Sequence, residues 1–258
     1  MDFTLSEEQQ ALVNVTRQFA QKELADYADK IEKTGLPAPR ILLQRFAEMG
    51  FLGVNLPAHY GGGGMSHLDA VLVLEELAKV SVAAAFPVFE SCFGPALAIA
   101  HYGPEQMRTS VLPDVCSGNM IVAVSMSEPQ AGTALTDLKT ELVPNGKSFV
   151  LRGTKRWCSG AGHADAYVVY CKMSDAPGAK GIGAVLVHDG VEGFTFGAPE
   201  EHMGFRGIPS ADMYFDDVNV SADQIIVPAG GFKQLMEAFD LERLSLIHIS
   251  EPTRQDRI

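Results

Sequence analysis

The chain has 258 residues, of which 47% are hydrophobic and 20% charged, and its net charge is −12. That length supports one large domain or two modest ones with ample core, and the composition is that of a folded globular protein. The negative balance argues against a nucleic-acid binder, which needs a basic surface to neutralise phosphates, but it leaves room for an anionic ligand held by a few local cations.

The N-terminus, Met1-Asp-Phe-Thr-Leu-Ser-Glu-Glu, is acidic and lacks an apolar core, so a signal peptide is not expected. No run of 18 apolar residues is present, so no membrane span is expected, and the cytoplasm is the expected location. Ser6 reads as a helix N-cap with Gln9 completing a capping box, after which Leu12, Val13, Thr16, Phe19, Ala20 and Leu24 recur at helical spacing. A second helix is predicted from about Arg40 to Met49, stopping at Gly50. Residues 51–57 read as extended, and Tyr60-Gly-Gly-Gly-Gly64 as a flexible turn. Neither GxGxxG nor GxxxxGK[ST] surrounds those glycines, so they are not read as a phosphate loop. Ser66 to Asp69 cap a helix from Ala70 to about Val82, with Leu72, Leu74, Leu77 and Ala78 as core and His67 as a surface neighbour of the cap. Helical stretches over about 83–102 and from Glu105 to about Cys116 complete an all-α unit over residues 1–120.

From Met120 the pattern changes to short runs at 121–127, 138–143, 148–152, 156–158, 166–172, 182–188, 193–196 and 211–215, separated by Gly, Asn, Asp and Pro. That spacing predicts an antiparallel β-barrel or sandwich over 121–228, with a hairpin turn at Pro144-Asn145-Gly146. The fold class is therefore α+β. Helix resumes at about Gly231, where Phe232, Leu235, Met236 and Phe239 form an apolar face. Asp240 and Arg243 share a face at i,i+3, and Glu242 is turned by about 100° from Arg243. Cys92, Cys116, Cys158 and Cys171 form no CxxC pair and no His/Cys ligand spacing, so neither a metal site nor a disulfide framework is expected.

Two segments carry the functional signal. Val122-Ala-Val-Ser-Met-Ser-Glu-Pro-Gln-Ala-Gly-Thr133 starts as a strand and breaks at Glu128-Pro129. It then enters a loop, Ala131-Gly132-Thr133, whose backbone N–H groups are free to meet an anion. Gly153-Thr-Lys-Arg-Trp-Cys-Ser-Gly160 is a second strand, and it holds the one tryptophan of the chain. On a strand, positions i and i+2 share a face. Trp157 and Ser159 can thus offer a flat apolar surface beside a hydrogen-bond donor, which suits a flat heteroaromatic ring with polar edges. Taken alone, the pair reads more plainly as packing on a sheet.

Taken together, Ser127-Glu-Pro-x-Ala-Gly-Thr133 and Gly153-Thr-Lys-x-Trp-x-Ser-Gly160 resemble the flavin-binding middle domain of the acyl-CoA dehydrogenase family. The resemblance covers about residues 2–243. Leu56-Pro-x-x-Tyr-Gly-Gly-x-Gly is similar to the family's N-terminal connector, and His202-Met-Gly-x-Arg206-Gly and Phe215-Asp-Asp-Val218-x-Val220 to its closing strands. One departure is Ala134, where the family usually has Asp; Asp137 follows three residues later. The resemblance implies FAD-dependent α,β-dehydrogenation of an acyl-CoA thioester to the 2-enoyl-CoA, with electrons passed to an electron-transfer flavoprotein. Carried over by position, Val124, Ser125, Met126, Ser127, Gly132 and Thr133 would line the flavin, with the Ser127 hydroxyl towards its pyrimidine edge. Trp157 would stack near the isoalloxazine with Cys158 beside it, and Ser159 would donate towards N5. Thr133, Asp240 and Arg243 match positions that touch the CoA ester. Glu242, in an Asp-Leu-Glu-Arg-Leu string, matches the base of some branched- and long-chain members. Its alternative is a helix-surface glutamate, with the base on a later segment as in medium-chain members. A homo-oligomer is implied for the full-length protein. Two further readings stay open: a same-fold oxidase or monooxygenase, and a non-enzymatic fragment. A nicotinamide dehydrogenase is disfavoured because no Rossmann glycine fingerprint is present.

Residues 229–244 are expected to form the first helix of a C-terminal bundle that is otherwise missing. The string Leu244-Ser-Leu-Ile-His-Ile-Ser-Glu-Pro-Thr-Arg254 matches, codon for codon, the translation of a transposase adapter used in sequencing libraries. Residues 245–258 are accordingly expected to be non-native.

Overall fold

The computed structural model describes residues 4–250, with side chains through Arg243. Helix α1 (Glu7–Phe19) opens with the predicted capping box: Ser6 Oγ accepts the Gln9 N–H, and the Gln9 side chain accepts the Ser6 N–H. The helical path does not stop at Leu24. A π turn over Ala20–Leu24 hands it to α2 (Ala25–Thr34), which ends at Gly35 in the left-handed region. No breaker lies between Leu24 and Gly35, so nothing in the sequence stops the helix sooner.

The helical half continues with α3 (Arg40–Glu48), α4 (His67–Ala78), α5 (Val82–Cys92), α6 (Pro95–Tyr102) and α7 (Glu105–Cys116). The four-glycine stretch is a tight return and not a loose turn. A Cβ on Gly62 would sit 2.3 Å from the Leu56 carbonyl oxygen, and one on Gly63 would sit 2.6 Å from that of Val54. The predicted helix over 83–102 is broken at Phe93–Gly94, with Pro95 opening α6. By length and composition, Val82–Tyr102 is apolar enough to cross a membrane (mean hydropathy 1.6), although Glu90 interrupts its apolar run. In the fold 83% of its most apolar 18-residue window is buried inside the protein, so it serves as core.

The second half is a single sheet of eight strands: β1 (Val122–Ser125), β2 (Glu141–Asn145), β3 (Ser148–Ser159), β4 (Ala166–Lys172), β5 (Ile182–His188), β6 (Phe194–Phe196), β7 (Ser210–Val220) and β8 (Ile225–Val227). Their order is β6-β7-β3-β2-β4-β5-β8, with β1 also on β4. The sheet is mostly antiparallel, as expected, and not closed, so of the expected barrel or sandwich the closed barrel does not form. Its two edges, β6 and β8, are three residues each and do not pair with one another. β1 and β2 share one edge of β4, both parallel to it: β1 along Ala166–Val169, and β2 only at Glu141–Lys172. The runs 148–152 and 156–158 are one strand, β3, kept whole by bulges. The β2–β3 turn is Gly146–Lys147, because Asn145 pairs with Ser148. The turn thus lies one residue beyond the predicted centre, with Gly146 at φ 62.

Helix α8 (Phe232–Ser250) returns across the helical half. Leu235 is fully buried, and the Leu235 carbonyl accepts the Tyr170 hydroxyl at 3.4 Å. The helix runs past Leu244, where the sequence reading ended it, because no breaker precedes Pro252. Residues 251–258 of the expected non-native tail lie outside the described residues.

Candidate active site

The two motif segments are joined by a buried ion pair. Lys155 Nζ lies 2.9 Å from Glu128 Oε1, and the two side chains are 0% and 1% exposed. Lys155 also donates to the Met126 carbonyl at 2.9 Å, while Glu128 accepts the backbone N–H of Lys139 at 2.6 Å and of Thr140 at 2.9 Å. Burial pushes the Glu128 carboxyl up. The Lys155 charge and these hydrogen bonds outweigh it and hold the carboxyl below the usual carboxylate range. Beside this clamp, Gly153 has φ 142, and a Cβ there would meet the Thr140 backbone at 2.6 Å. Only glycine permits so close a crossing.

Above the clamp, β3 gains one residue against β7 between Lys155 and Cys158, and Trp157 adopts φ 56. This bulge breaks the i, i+2 alternation assumed from the sequence. The consecutive residues Trp157, Cys158 and Ser159 therefore all border one cavity. Trp157 is 65% exposed at its mouth, and the Arg156 guanidinium lies 5.6 Å from the centre of its ring. Arg156 is itself fixed by Asp212 through two hydrogen bonds of 2.9 and 2.7 Å.

The cavity, of about 250 Å³, lies between α5, the end of β1, the β3 bulge, the Phe205 loop and α8. Phe86, Phe89, Val124, Met126 and Phe205 make its apolar walls, and Ser127, Ser159, Glu90, Glu242 and Arg243 its polar points. Glu242 is 9% exposed; burial pushes its carboxyl up to about 7, with Arg243 pulling the other way. Glu90 is raised well above the carboxylate range by burial and by the charge of Glu242. Burial pushes the Cys158 thiol up to about 12, so it stays protonated and is no nucleophile. Such a cavity can hold a chain away from water and present a proton acceptor that titrates near neutrality.

Of the residues singled out from the sequence, Val124, Met126, Ser127, Trp157, Cys158, Ser159, Glu242 and Arg243 border this cavity. Ser125 does not. It is buried on the other side of β1, its Oγ 3.3 Å from Met213 Sδ, as strand alternation requires. Gly132 and Thr133 sit on an exposed loop beyond the Glu128 turn, away from the cavity lining. Asp240 is exposed on α8 and does not border the cavity either. Arg243 does border it, with its guanidinium 4.3 Å over the Phe239 ring. Sequence reasoning missed Glu90, Arg156, Phe86, Phe89 and Phe205. A signal for Glu90 was present, since no other charge interrupts residues 82–100. Among the described residues no cluster of His, Cys, Asp and Glu suits a metal ion.

The acyl-CoA dehydrogenase N-terminal domain matches residues 6–119, and the middle domain of the same enzymes matches residues 123–218. The chain belongs to the acyl-CoA dehydrogenase family. It is 33% identical over 249 residues to an acryloyl-CoA reductase (NADH) of Anaerotignum propionicum, covering 95% of this chain and 63% of that protein. It is 32% identical to a mitochondrial isovaleryl-CoA dehydrogenase of Pongo abelii, covering 94% of this chain and 58% of that one. Butyryl-CoA dehydrogenase from Megasphaera elsdenii superposes with a TM-score of 0.91 at 28% identity, over 98% of this chain and 67% of that structure. The chain thus spans roughly three fifths of the length of the two curated relatives. The cavity lies between the two matched domains, with Glu242 and Arg243 of α8 on its border.

Proposed function

We propose that the complete protein carries out FAD-dependent α,β-dehydrogenation of an acyl-CoA thioester, giving the 2-enoyl-CoA. One observation carries this reading: a buried carboxyl that titrates near 7, Glu242, shares a cavity with an open tryptophan face and two hydroxyls. The site suits a flavin. Ser127 and Ser159 spend their hydroxyls on no other described side chain, so both are free for the polar edges of a ring, and the 65% exposed Trp157 offers a flat apolar face. Held there by Ser127, Trp157 and Ser159, FAD would supply a hydride acceptor for the β-hydrogen.

The chain's own residues supply the rest. The Glu242 carboxylate takes the proton from the α-carbon, and with a carboxyl near 7 it is both ionised and basic enough at neutral pH. Phe86, Phe89, Val124 and Met126 keep water off the acyl chain, which strengthens every charge interaction inside. Arg243, adjacent to the base and exposed on its outer side, offers a cation to the polar part of the thioester. The Glu128–Lys155 clamp fixes the floor on which Ser127 and Trp157 stand. In this reading the electrons pass to an electron-transfer flavoprotein, and the full-length protein works as a cytoplasmic homo-oligomer.

The test is Glu242→Gln in the flavin-loaded full-length protein, assayed in both the dehydrogenase and the reductase direction. Turnover is expected to fall by roughly 10²–10⁴-fold with flavin content unchanged. Unchanged turnover would assign the base to another residue. Turnover that proceeds with oxygen as the sole acceptor would assign the same-fold oxidase instead.

A further inference from the structure

The segment that edges the cavity has its carbonyls turned into the protein. The Val124 carbonyl accepts the Cys158 thiol at 3.3 Å, the Met126 carbonyl accepts Lys155 Nζ at 2.9 Å, and the Ser127 carbonyl accepts the Arg156 N–H at 3.0 Å. Val124, Met126 and Ser127 all border the cavity and Lys155 does not, so the lysine reaches this wall from behind. In a trans peptide the C=O and the following N–H point in opposite directions. The Ser127 N–H therefore lies on the side of its peptide away from Lys155, and it meets no acceptor among the described residues.

Both Glu128 oxygens are taken by donors: Oε1 by Lys155 Nζ and the Thr140 N–H, Oε2 by the Lys139 N–H and by the Gln130 side chain at 2.6 Å. Donors on every side leave no acceptor for a carboxyl proton, so Glu128 is a carboxylate and Lys155 its ammonium partner. Burial draws that ammonium down, and the Glu128 charge at 2.9 Å works against it. Gln130, Lys139 and Thr140 lie outside the cavity lining, whereas Met126 belongs to it. The pair is thus a dipole whose positive end faces the cavity wall. An ammonium on a carbonyl polarises that peptide and strengthens the N–H at its other end as a donor. A hydride adds two electrons and one proton, so it brings one negative charge onto the flavin that takes it. A positive wall holds that reduced form more tightly than the oxidised one. We propose that Lys155 is a positioning residue that raises the reduction potential of the flavin by polarising the Met126–Ser127 peptide of the cavity wall. This rests on the flavin reading of the same cavity.

The experiment is a spectroscopic redox titration of the flavin-loaded full-length protein in three versions: native, Lys155→Met together with Glu128→Gln, and Glu128→Gln alone. Flavin content and FAD affinity are measured for each. The double variant removes both charges at once, so neither is left buried without its partner. It is expected to hold reduced flavin about tenfold more weakly relative to oxidised flavin, which for two electrons lowers the potential by about 30 mV. Glu128→Gln alone keeps the lysine on the Met126 carbonyl and is expected not to lower the potential. A double variant with the native potential overturns the inference and leaves the clamp a purely structural one. An equal fall in Glu128→Gln alone overturns it too, because the drop then follows the broken clamp and not the lysine. A native full-length protein that takes up no flavin removes the flavin reading, and this inference with it. If the double variant does not fold, Lys155→Gln decides: a fall in potential supports the inference and an unchanged potential overturns it.

Discussion

The cavity and the clamp beneath it both bury carboxyl groups, and they do it in opposite ways. Under the site, Glu128 is enclosed by Lys155 and by the backbone N–H groups of Lys139 and Thr140, and its carboxyl is held down. Inside the site, Glu90 and Glu242 are nearly as deeply enclosed, and both are pushed up by burial. The same residue type in a similarly dry setting thus becomes a structural anchor when its oxygens are satisfied. It becomes a reactive group when burial is left to dominate. The residues on either side differ accordingly. The anchor is surrounded by backbone donors, the reactive pair by phenylalanine rings.

The most severe test of that contrast is Lys155→Met. It leaves Glu128 buried beside a lost charge and should destabilise the protein by about 3–5 kcal/mol. Denaturant unfolding measures this, and adding Glu128→Gln to the same protein should restore much of the loss. If Lys155→Met were tolerated as easily as a surface change, the anchor would not be one. The second test is the pH dependence of stability. Glu242 has an ordinary value of 4.5 and a folded value of about 7, so the folded state holds the extra proton between them. Its contribution is favourable at low pH, decays as pH rises from about 4.5 to about 7, and is flat above. The span is on the order of 3 kcal/mol. Glu128 has the opposite sign: its contribution is present above 4.5 and is lost as pH falls through its lowered folded value. Glu242→Gln should therefore flatten the decline between pH 5 and 7 and leave the acid limb unchanged. The smallest effect is expected from Glu90→Leu, which replaces a buried carboxyl by an apolar group of similar size. Thermal unfolding should show it neutral, or stabilising by about 1 kcal/mol.

The sequence made some of this legible and hid the rest, for physical reasons. Ser6 with Gln9 and Ser66 with Asp69 are local contacts across three residues, so their capping boxes can be read directly from spacing. The change from helical to strand periodicity at Met120 is equally local. Glu128 and Lys155 were visible as motif letters, but their meeting is set by how β1 lies beside β3, which no periodicity encodes. The bulge that turns Trp157 outward depends on the register of β3 against β7, so an ideal strand was the wrong template for it. Glu90 could be seen as a lone charge in an apolar run. That its helix face meets α8 across a cavity follows only from packing. Gly132, Thr133 and Asp240, assigned by position from the family resemblance, lie outside the lining of this cavity.

The way α8 is held has a mechanical consequence. Near its start the helix is tied by the buried Leu235, whose carbonyl accepts the Tyr170 hydroxyl, and by the Glu237 carboxylate, which accepts the Tyr102 hydroxyl at 3.0 Å. Glu242 lies seven residues further along than Leu235, a lever arm of about 10 Å. A tilt of about 6° about that pivot would carry the carboxyl through about 1 Å, a misplacement that can cost on the order of 100-fold in rate. The aim of the base thus depends on how α8 packs between Leu235 and Glu242, so substitutions on that stretch that do not line the cavity should act on it as a fine adjustment.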